Sequence, residues 1–436
     1  MDIHSIRKDP SFYKTLEQKR FKSGCIDTIL EVDERWKKTT YRIDNLRALR
    51  NKVSMSFKNA PTHQTIDHNN LLDQLINKEV DMNNLTKDQL KDIGKQLNDI
   101  LQKEEDIKNR LTHELENLTN SLGNFLHDSV PISNNEDDNA IIFTNLKDNP
   151  ENKKLDHISL CKKLNIIDTD IGSMVAGNRG YFLKGWGVKL NLALINYAVD
   201  FLFNKGYELV QTPHMVEKEL MSHITQLSEY EETLYKLDGY DKFLIATSEQ
   251  PMTAQFNHKV ISKNNLPLKL CGLSTCYRKE AGNHKNMGGI YRVHQFEKVE
   301  QFCVTEPDKS WEMFHNMINT SMEFYESLGF KYRVVNIVSG ALNNAASMKY
   351  DLEVWFPGSK FYGELVSCTN CLDYFSRRLQ TKMVGTKDYV HMLNCTLMAN
   401  TRNICAILET HQEDDGIRVP PPLVKYIGTD FIKFEN

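Results

Sequence analysis

Two segments hold the densest set of side chains able to do chemistry: GLSTCYRKEAG (272–282) and IYRVHQFEKVEQF (290–302). Both alternate as strands do, so residues two apart share a face. The pattern predicts a hairpin with Arg278 and Glu280 on one face of its first strand, and Arg292, Phe296 and Glu300 on one face of its second. Between them, GNHKNMGG (282–289) supplies the glycines and polar residues of a loop. Two guanidiniums, two carboxylates and a ring on one surface suit a nucleotide. Arginines take phosphate oxygens, the ring takes the base, and a carboxylate takes an amino group. The same residues also suit a half-exposed hairpin laced with cross-strand ion pairs.

A third segment adds to the set. HMLNCTLM (391–398) reads as a strand with Asn394 and Thr396 on one face. NTRNICAILETHQ follows as a helix, with Thr401 as N-cap and Arg402 in the first turn. A cation at the positive end of a helix is unfavourable alone but suits a polyphosphate. Neither GxGxxG nor GxxxxGK[ST] occurs, so any nucleotide is held by side chains on a sheet.

The elements that must position these groups lie in the last two thirds of the chain. A helix is predicted over 190–205, ended by Gly206, then a strand in YELVQTP (207–213) stopped by Pro213. A helix over 310–328, a strand over 332–340 and the strand-rich VWFPGSKFYGELVSCTN follow. Strands outnumber helices and hairpins recur, so the expected fold is α+β, a mostly antiparallel sheet flanked by helices.

The first part differs in kind. Leu90, Ile93, Leu97, Ile100, Ile107, Leu111, Leu115, Leu118, Leu122 and Phe125 step by threes and fours along a coiled-coil seam, with Glu104 filling one slot. Ile43, Leu46, Val53 and Phe57 keep the same spacing, with Arg50 in the gap. Two such helices joined by a polar stretch read as an antiparallel hairpin. From Asp27 to Lys58 there are 8 Lys/Arg against 5 Asp/Glu, and from Lys87 to Leu122 there are 6 against 8. The first helix could follow a phosphate backbone, or the charges could simply solvate its face. A polar bridge (SNNEDDNA, NLKDNPENKK) then separates an N-terminal domain, 1–130, from a second domain, 131–436.

At 436 residues the chain can bury a substantial core, and its net charge of −4 excludes a global basic signature. Nucleic-acid contacts would need local patches. The 9 cysteines, an odd number without an apolar leader, read as reduced thiols of a cytoplasmic protein. Cys368 and Cys371 form a CxxC, but no second pair follows, which favours a structural role over zinc. No apolar stretch reaches membrane-spanning length.

Taken in order, YELVQTP, CYRKE…RVHQFEKVEQF and LMANTRNICAILE resemble the three signature motifs of class II aminoacyl-tRNA synthetases. With AGNRGYFLKG, LIATSEQP, HMLN and the N-terminal coiled coil, the chain resembles seryl-tRNA synthetases of the eukaryotic cytosolic type, from the arm to about residue 423. The resemblance implies ATP-dependent activation of L-serine to seryl-adenylate, then transfer to the 3′ end of tRNA-Ser, with tRNA-Sec a further candidate. It assigns Arg278 to the α-phosphate and substrate carboxylate, Glu280 to the adenine amino group and Phe296 to one adenine face. Arg402 covers the other face and reaches the γ-phosphate, and Arg292 joins the ATP set. Glu364 and Ser367 match the positions that hold Mg²⁺, though a spacing of three demands a bulge to share a face. Serine would be read by Thr247, Glu249, Arg278, Glu300, Asn394 and Thr396.

The same resemblance implies a homodimer joined through the first motif. Each arm would grip tRNA by backbone shape and serve the partner's active site. Two departures stand out: Gly288 lies where relatives usually carry arginine in a longer loop, and the chain stops at Asn436 without a basic tail. A noncatalytic tRNA-binding paralogue is the alternative, but it would be expected to lack Arg278, Phe296, Glu300 or Arg402.

Overall fold

A computed structural model describes residues 3–62, 71–76, 80–146, 152–225, 233–280 and 288–435. The expected loop at 282–289 therefore lies outside the described residues except for Gly288 and Gly289. The chain divides into two compact units, Met1–Leu122 and Gly123–Asn436, whereas the sequence boundary was placed at 130/131. Asn124 accounts for the difference. Its side-chain amide donates to the carbonyls of Ala345 (2.9 Å) and Cys371 (2.7 Å), which draws 123–130 into the second unit.

The first unit is built on helices α1 (Cys25–Ser56) and α2 (Lys87–Asn120). Thr86 and Gln89 cap α2 reciprocally, satisfying two otherwise orphaned N–H groups. Cross-contacts Trp36–Thr112 (3.0 Å), Arg42–Glu104 (3.2 Å) and Arg50–Asn98 (3.4 Å) descend along α2 as they rise along α1. The helices are therefore antiparallel. Ile43, Leu46, Val53, Leu90, Ile93 and Leu97 are buried between them, and Glu104 occupies its seam slot through Arg42. The seam departs from expectation midway along α2 and at its ends. Leu101 is buried while Ile100 is half-buried, and Phe57, Leu122 and Phe125 fall beyond the helix termini.

In the second unit, eight strands form one sheet. They are β1 (Ala140–Thr144), β2 (Glu208–Gln211), β3 (Leu268–Tyr277), β4 (Gln295–Thr305), β5 (Tyr332–Asn336), β6 (Met348–Phe356), β7 (Phe361–Asn370) and β8 (His391–Ala399). Their order is β1-β5-β6-β7-β8-β4-β3-β2, antiparallel throughout except for the parallel β2–β3 pair. Helices α3 (Trp186–Asn204), α4 (Ser310–Ser327) and α5 (Asn400–Thr410) flank it. The α+β expectation is met.

Alternation along β7 and β8 divides the work of the sheet. Cys368 and Cys395 point to α4, where their thiols reach the carbonyls of Phe314 and Met317 at 3.8 Å. Ser367, Thr369, Asn394 and Thr396 point the opposite way, into a cleft. One face is core and the other is site.

Two local predictions fail. β4 begins at Gln295 rather than 290, and β3 stops at Tyr277. Arg278, Glu280 and Arg292 therefore sit outside the strands, and Glu280 takes a left-handed φ of 48° that ends the ladder. Helix α5 starts at Asn400, with Ala399 rather than Thr401 at its N-cap position. The Thr401 N–H is instead satisfied by the Asn400 side-chain oxygen at 2.8 Å.

Candidate active site

All the residues singled out for ATP and serine line a single cleft on the free face of the sheet, about 1000 Å³ of open space. They are Thr247, Glu249, Arg278, Glu280, Arg292, Phe296, Glu300, Glu364, Ser367, Asn394, Thr396 and Arg402.

At one end lies a cluster of small polar groups. Glu300 is 1% exposed and stands directly across from Thr396 on β8 and Gly272 on β3. Its Oε2 accepts from Thr247 Oγ1 (2.5 Å), Ser248 Oγ (3.3 Å) and Lys298 Nζ (2.8 Å). Lys298 also donates to Thr247 Oγ1 at 2.9 Å. Two residues apart on β4, Lys298 and Glu300 share a face, and burial of the carboxylate requires that partner. Glycine at 272 makes room for the turn bearing Thr247 and Ser248: a Cβ there would lie 2.5 Å from Met252 Cε and 2.7 Å from Ser248 Oγ. Asn394 donates to Glu249 Oε1 at 2.8 Å, closing the cluster.

At the other end lie cations and rings. Arg278 donates to the Ala246 carbonyl (3.1 Å), and its guanidinium lies 5.2 Å from the Phe296 ring centre. Arg292 holds Glu280 Oε2 at 2.6 Å, while Arg179 holds the Glu280 carbonyl at 3.0 Å. Arg402 donates to the Glu364 carbonyl (2.7 Å) and sits 4.9 Å from the Tyr291 ring.

Between the two ends stands Glu364. In the β6–β7 ladder Leu352 pairs Val366 but Glu353 pairs Glu364, so Leu365 is an extra residue. This bulge resolves the spacing of three and puts Glu364 and Ser367 on the same cleft wall. Although desolvation by its neighbours would raise the part-exposed Glu364 carboxyl, Arg402, Lys349, Arg278 and Arg292 together hold it below the usual range. Asp351 pairs with Ser367 across the ladder, and burial pushes its carboxyl up to about 6 against the pull of Lys349. Asp351 Oδ1 is buried with no hydrogen-bond partner among the described residues. An ionised carboxylate, a hydroxyl and an orphaned oxygen behind them fit a hard cation that keeps most of its ligands from water and phosphate. No group of three or more His, Cys, Asp or Glu side chains able to hold a metal occurs among the described residues. Cys368 and Cys371 do not face each other: one lies under Phe314, and the other lies 3.8 Å from the Asn394 amide.

Sequence reasoning overlooked Lys298, Lys349 and Tyr291, which also line the cleft. For Lys298 the signal was present in the i, i+2 pair with Glu300. Lys349 carried the same local signal in its i, i+2 pair with Asp351.

The comparisons fit this geometry. Residues 1–126 match the seryl-tRNA synthetase N-terminal domain, and 233–411 match the tRNA synthetase class II core domain (G, H, P, S and T). A cytoplasmic serine–tRNA ligase of Dictyostelium discoideum is 43% identical over 459 residues, spanning 100% of this chain and 95% of that protein. The chain belongs to the seryl-tRNA synthetase family. It is likewise 42% identical to the human cytoplasmic serine–tRNA ligase, over 98% of this chain and 89% of the relative. Among solved structures, the Naegleria fowleri cytoplasmic enzyme in complex with AMP superposes with a TM-score of 0.89 at 41% identity, covering 100% of this chain and 99% of that one. The Pyrococcus horikoshii seryl-tRNA synthetase complexed with ATP gives 0.86 at 33%, covering both chains fully. These relatives make this a class II aminoacyl-tRNA synthetase.

Proposed function

We propose that the cleft activates L-serine with ATP and that the chain then charges tRNA-Ser, with the roles divided as the residues are. The carrying observation is the meeting of Thr247, Lys298 and Glu300 with Arg278 and Arg402 in one cleft. The serine carboxylate oxygen attacks the α-phosphorus; the P–O bond to pyrophosphate breaks, and seryl-adenylate forms. That carboxylate is ionised at neutral pH, so no base is needed and catalysis is positioning plus charge stabilisation.

Arg278 orients the α-phosphate and the serine carboxylate. Phe296 and Arg402 flank the adenine, and Glu280, fixed by Arg292, reads its amino group. Glu300, Glu249 and Asn394 receive the serine ammonium and hydroxyl, with Thr247 and Thr396 completing the pocket. Alanine leaves these buried groups unpaired and is rejected on that account. Glu364 and Ser367, with Asp351 behind, would hold Mg²⁺, which when bound neutralises charge on the ATP phosphates.

The partners follow from the exposed surfaces. Trp186, Val188, Leu192 and Phe203 of α3, with Leu209 of β2, are large apolar side chains left in solvent. Exposed apolar side chains on these two elements support an interface there, read as the homodimer contact of the first motif. The helical arm, with 8 basic residues against 5 acidic between Asp27 and Lys58, grips tRNA by its backbone. No described helix is long and apolar enough to cross a membrane, and the relatives are named cytoplasmic, which supports action in the cytoplasm.

Serine-dependent ATP–pyrophosphate exchange, run beside threonine and alanine, tests the reading. Exchange with serine and little with the other two is expected. No exchange with serine would sink it.

A further inference from the structure

The cleft residues are held from behind by a buried polar junction that none of the roles above uses. Asn400, the first residue of α5, is 1% exposed. Its Oδ1 accepts from the backbone N–H groups of Glu297 (2.9 Å) and Thr401 (2.8 Å). Its Nδ2 donates to Asn191 Oδ1 (2.8 Å) and to Glu297 Oε2 (3.3 Å). Asn191, on the inner side of α3, in turn donates to Glu297 Oε2 at 2.6 Å. An amide offers two donors and two acceptor sites, and Asn400 has all four engaged. Side chains of three separate elements, α3, β4 and α5, thus meet at one point.

Position gives the junction its meaning. Glu297 follows Phe296 on β4, and Arg402 lies two residues beyond Asn400 on α5. The Glu297 N–H to Asn400 Oδ1 bond therefore ties the backbone under the Phe296 ring to the helix turn that carries Arg402. We infer that Asn400, braced by Asn191 and Glu297, is a positioning residue that sets the gap between Phe296 and Arg402 and thereby the affinity for the adenine of ATP. The inference rests on the adenine placement proposed above.

Because the junction's hydrogen bonds fix the backbone beside Phe296 and Arg402 and reach none of Thr247, Glu249, Glu300 or Asn394, its loss divides the two substrates. In pyrophosphate exchange, Asn400→Ala is expected to raise KM for ATP about tenfold and to leave KM for serine within about twofold. Calorimetric titration of ATP without serine should show the same weakening, so it reads the junction independently of the amino acid. Asn400→Asp sets a second carboxylate against Glu297 and should weaken ATP further. Adding Glu297→Gln removes one of the two charges and lets the side-chain hydrogen bonds run the other way. The amide introduced at position 297 donates to Asn191, and Asn191 donates to the carboxylate introduced at position 400. This double variant should recover ATP affinity to within about threefold of the parent. A merely structural junction would lower the melting temperature and raise both KM values together, and the two charge changes would simply add. Either result, or unchanged ATP affinity in Asn400→Ala, overturns the inference. Wild-type protein that binds ATP but shows no exchange with serine overturns the serine reading instead.

Discussion

At the scale of single residues, the site is a set of charges whose neighbours decide what each can do. Glu300 is buried and compensated by Lys298. Lys298→Met strands that carboxylate, and a loss of about 3 kcal/mol in unfolding free energy together with weakened serine exchange is expected. Glu300→Ala should abolish exchange with serine while leaving ATP binding by calorimetry close to the parent. Asp351 and Glu364 respond to acid in opposite senses. Asp351 carries a raised carboxyl, about 6 against an ordinary 3.8, so the native state takes up its proton first as pH falls. Its contribution to stability therefore grows on acidification through 6, whereas that of Glu364, held low by Arg402 and its companions, is lost at lower pH. Melting curves at pH 7.5 and 5.5 check this: Asp351→Asn should lose more stability than the parent on moving to the lower pH. The alternation of residues in 290–302 and the motif resemblance made most of these side chains legible. Lys349 was not, although it stands two residues from Asp351 as Lys298 does from Glu300, because no motif resemblance marked its strand.

At the scale of elements, sequence periodicity found the strands but not their ends. The pattern of 290–302 alternates from its first residue, yet the ladder begins only at Gln295, because Glu280 and Gly289 take positive φ angles that alternation cannot report. The Leu365 bulge was legible only as a contradiction, a spacing of three on a strand whose two members needed a common face. The N-cap of α5 was misread for a related reason: Asn400 answers to Glu297 and Asn191, which no local rule contains. Gly272 offers a test of how tightly elements set the site. Gly272→Ala drives a methyl into Met252 and Ser248, and should raise KM for serine about tenfold with little change for ATP, read from exchange kinetics.

At the scale of the whole molecule, the division into Met1–Leu122 and Gly123–Asn436 predicts a separation of tasks. Removal of residues 30–120 should spare serine-dependent exchange and eliminate tRNA charging. Charging by the full chain should weaken steeply with salt, since it depends on phosphate contacts, while exchange should vary little. Leu192→Glu, on the exposed side of α3, should shift sedimentation toward a smaller species. The arm was readable from heptad spacing because its contacts are between two neighbouring helices. The sheet order was not, since β1 pairs with β5 and β2 with β3 across long stretches of chain.

The free face of the sheet, with no glycine-rich phosphate loop, carries a last consequence. Loops that bind phosphate through backbone N–H groups tolerate many side chains, because the donor is the same in nearly every residue. Here the contacts are side chains, half of them on the adjacent strands β7, β8 and β4 and the rest on flanking segments, so each is erased by one nucleotide change and each can be retuned by one as well. A single-residue deletion within β4, β7 or β8 would also turn every later side chain to the wrong face. Such a site drifts by substitution and hardly at all by insertion or deletion: its ancestry is recorded in residue identity, while strand length stays nearly frozen.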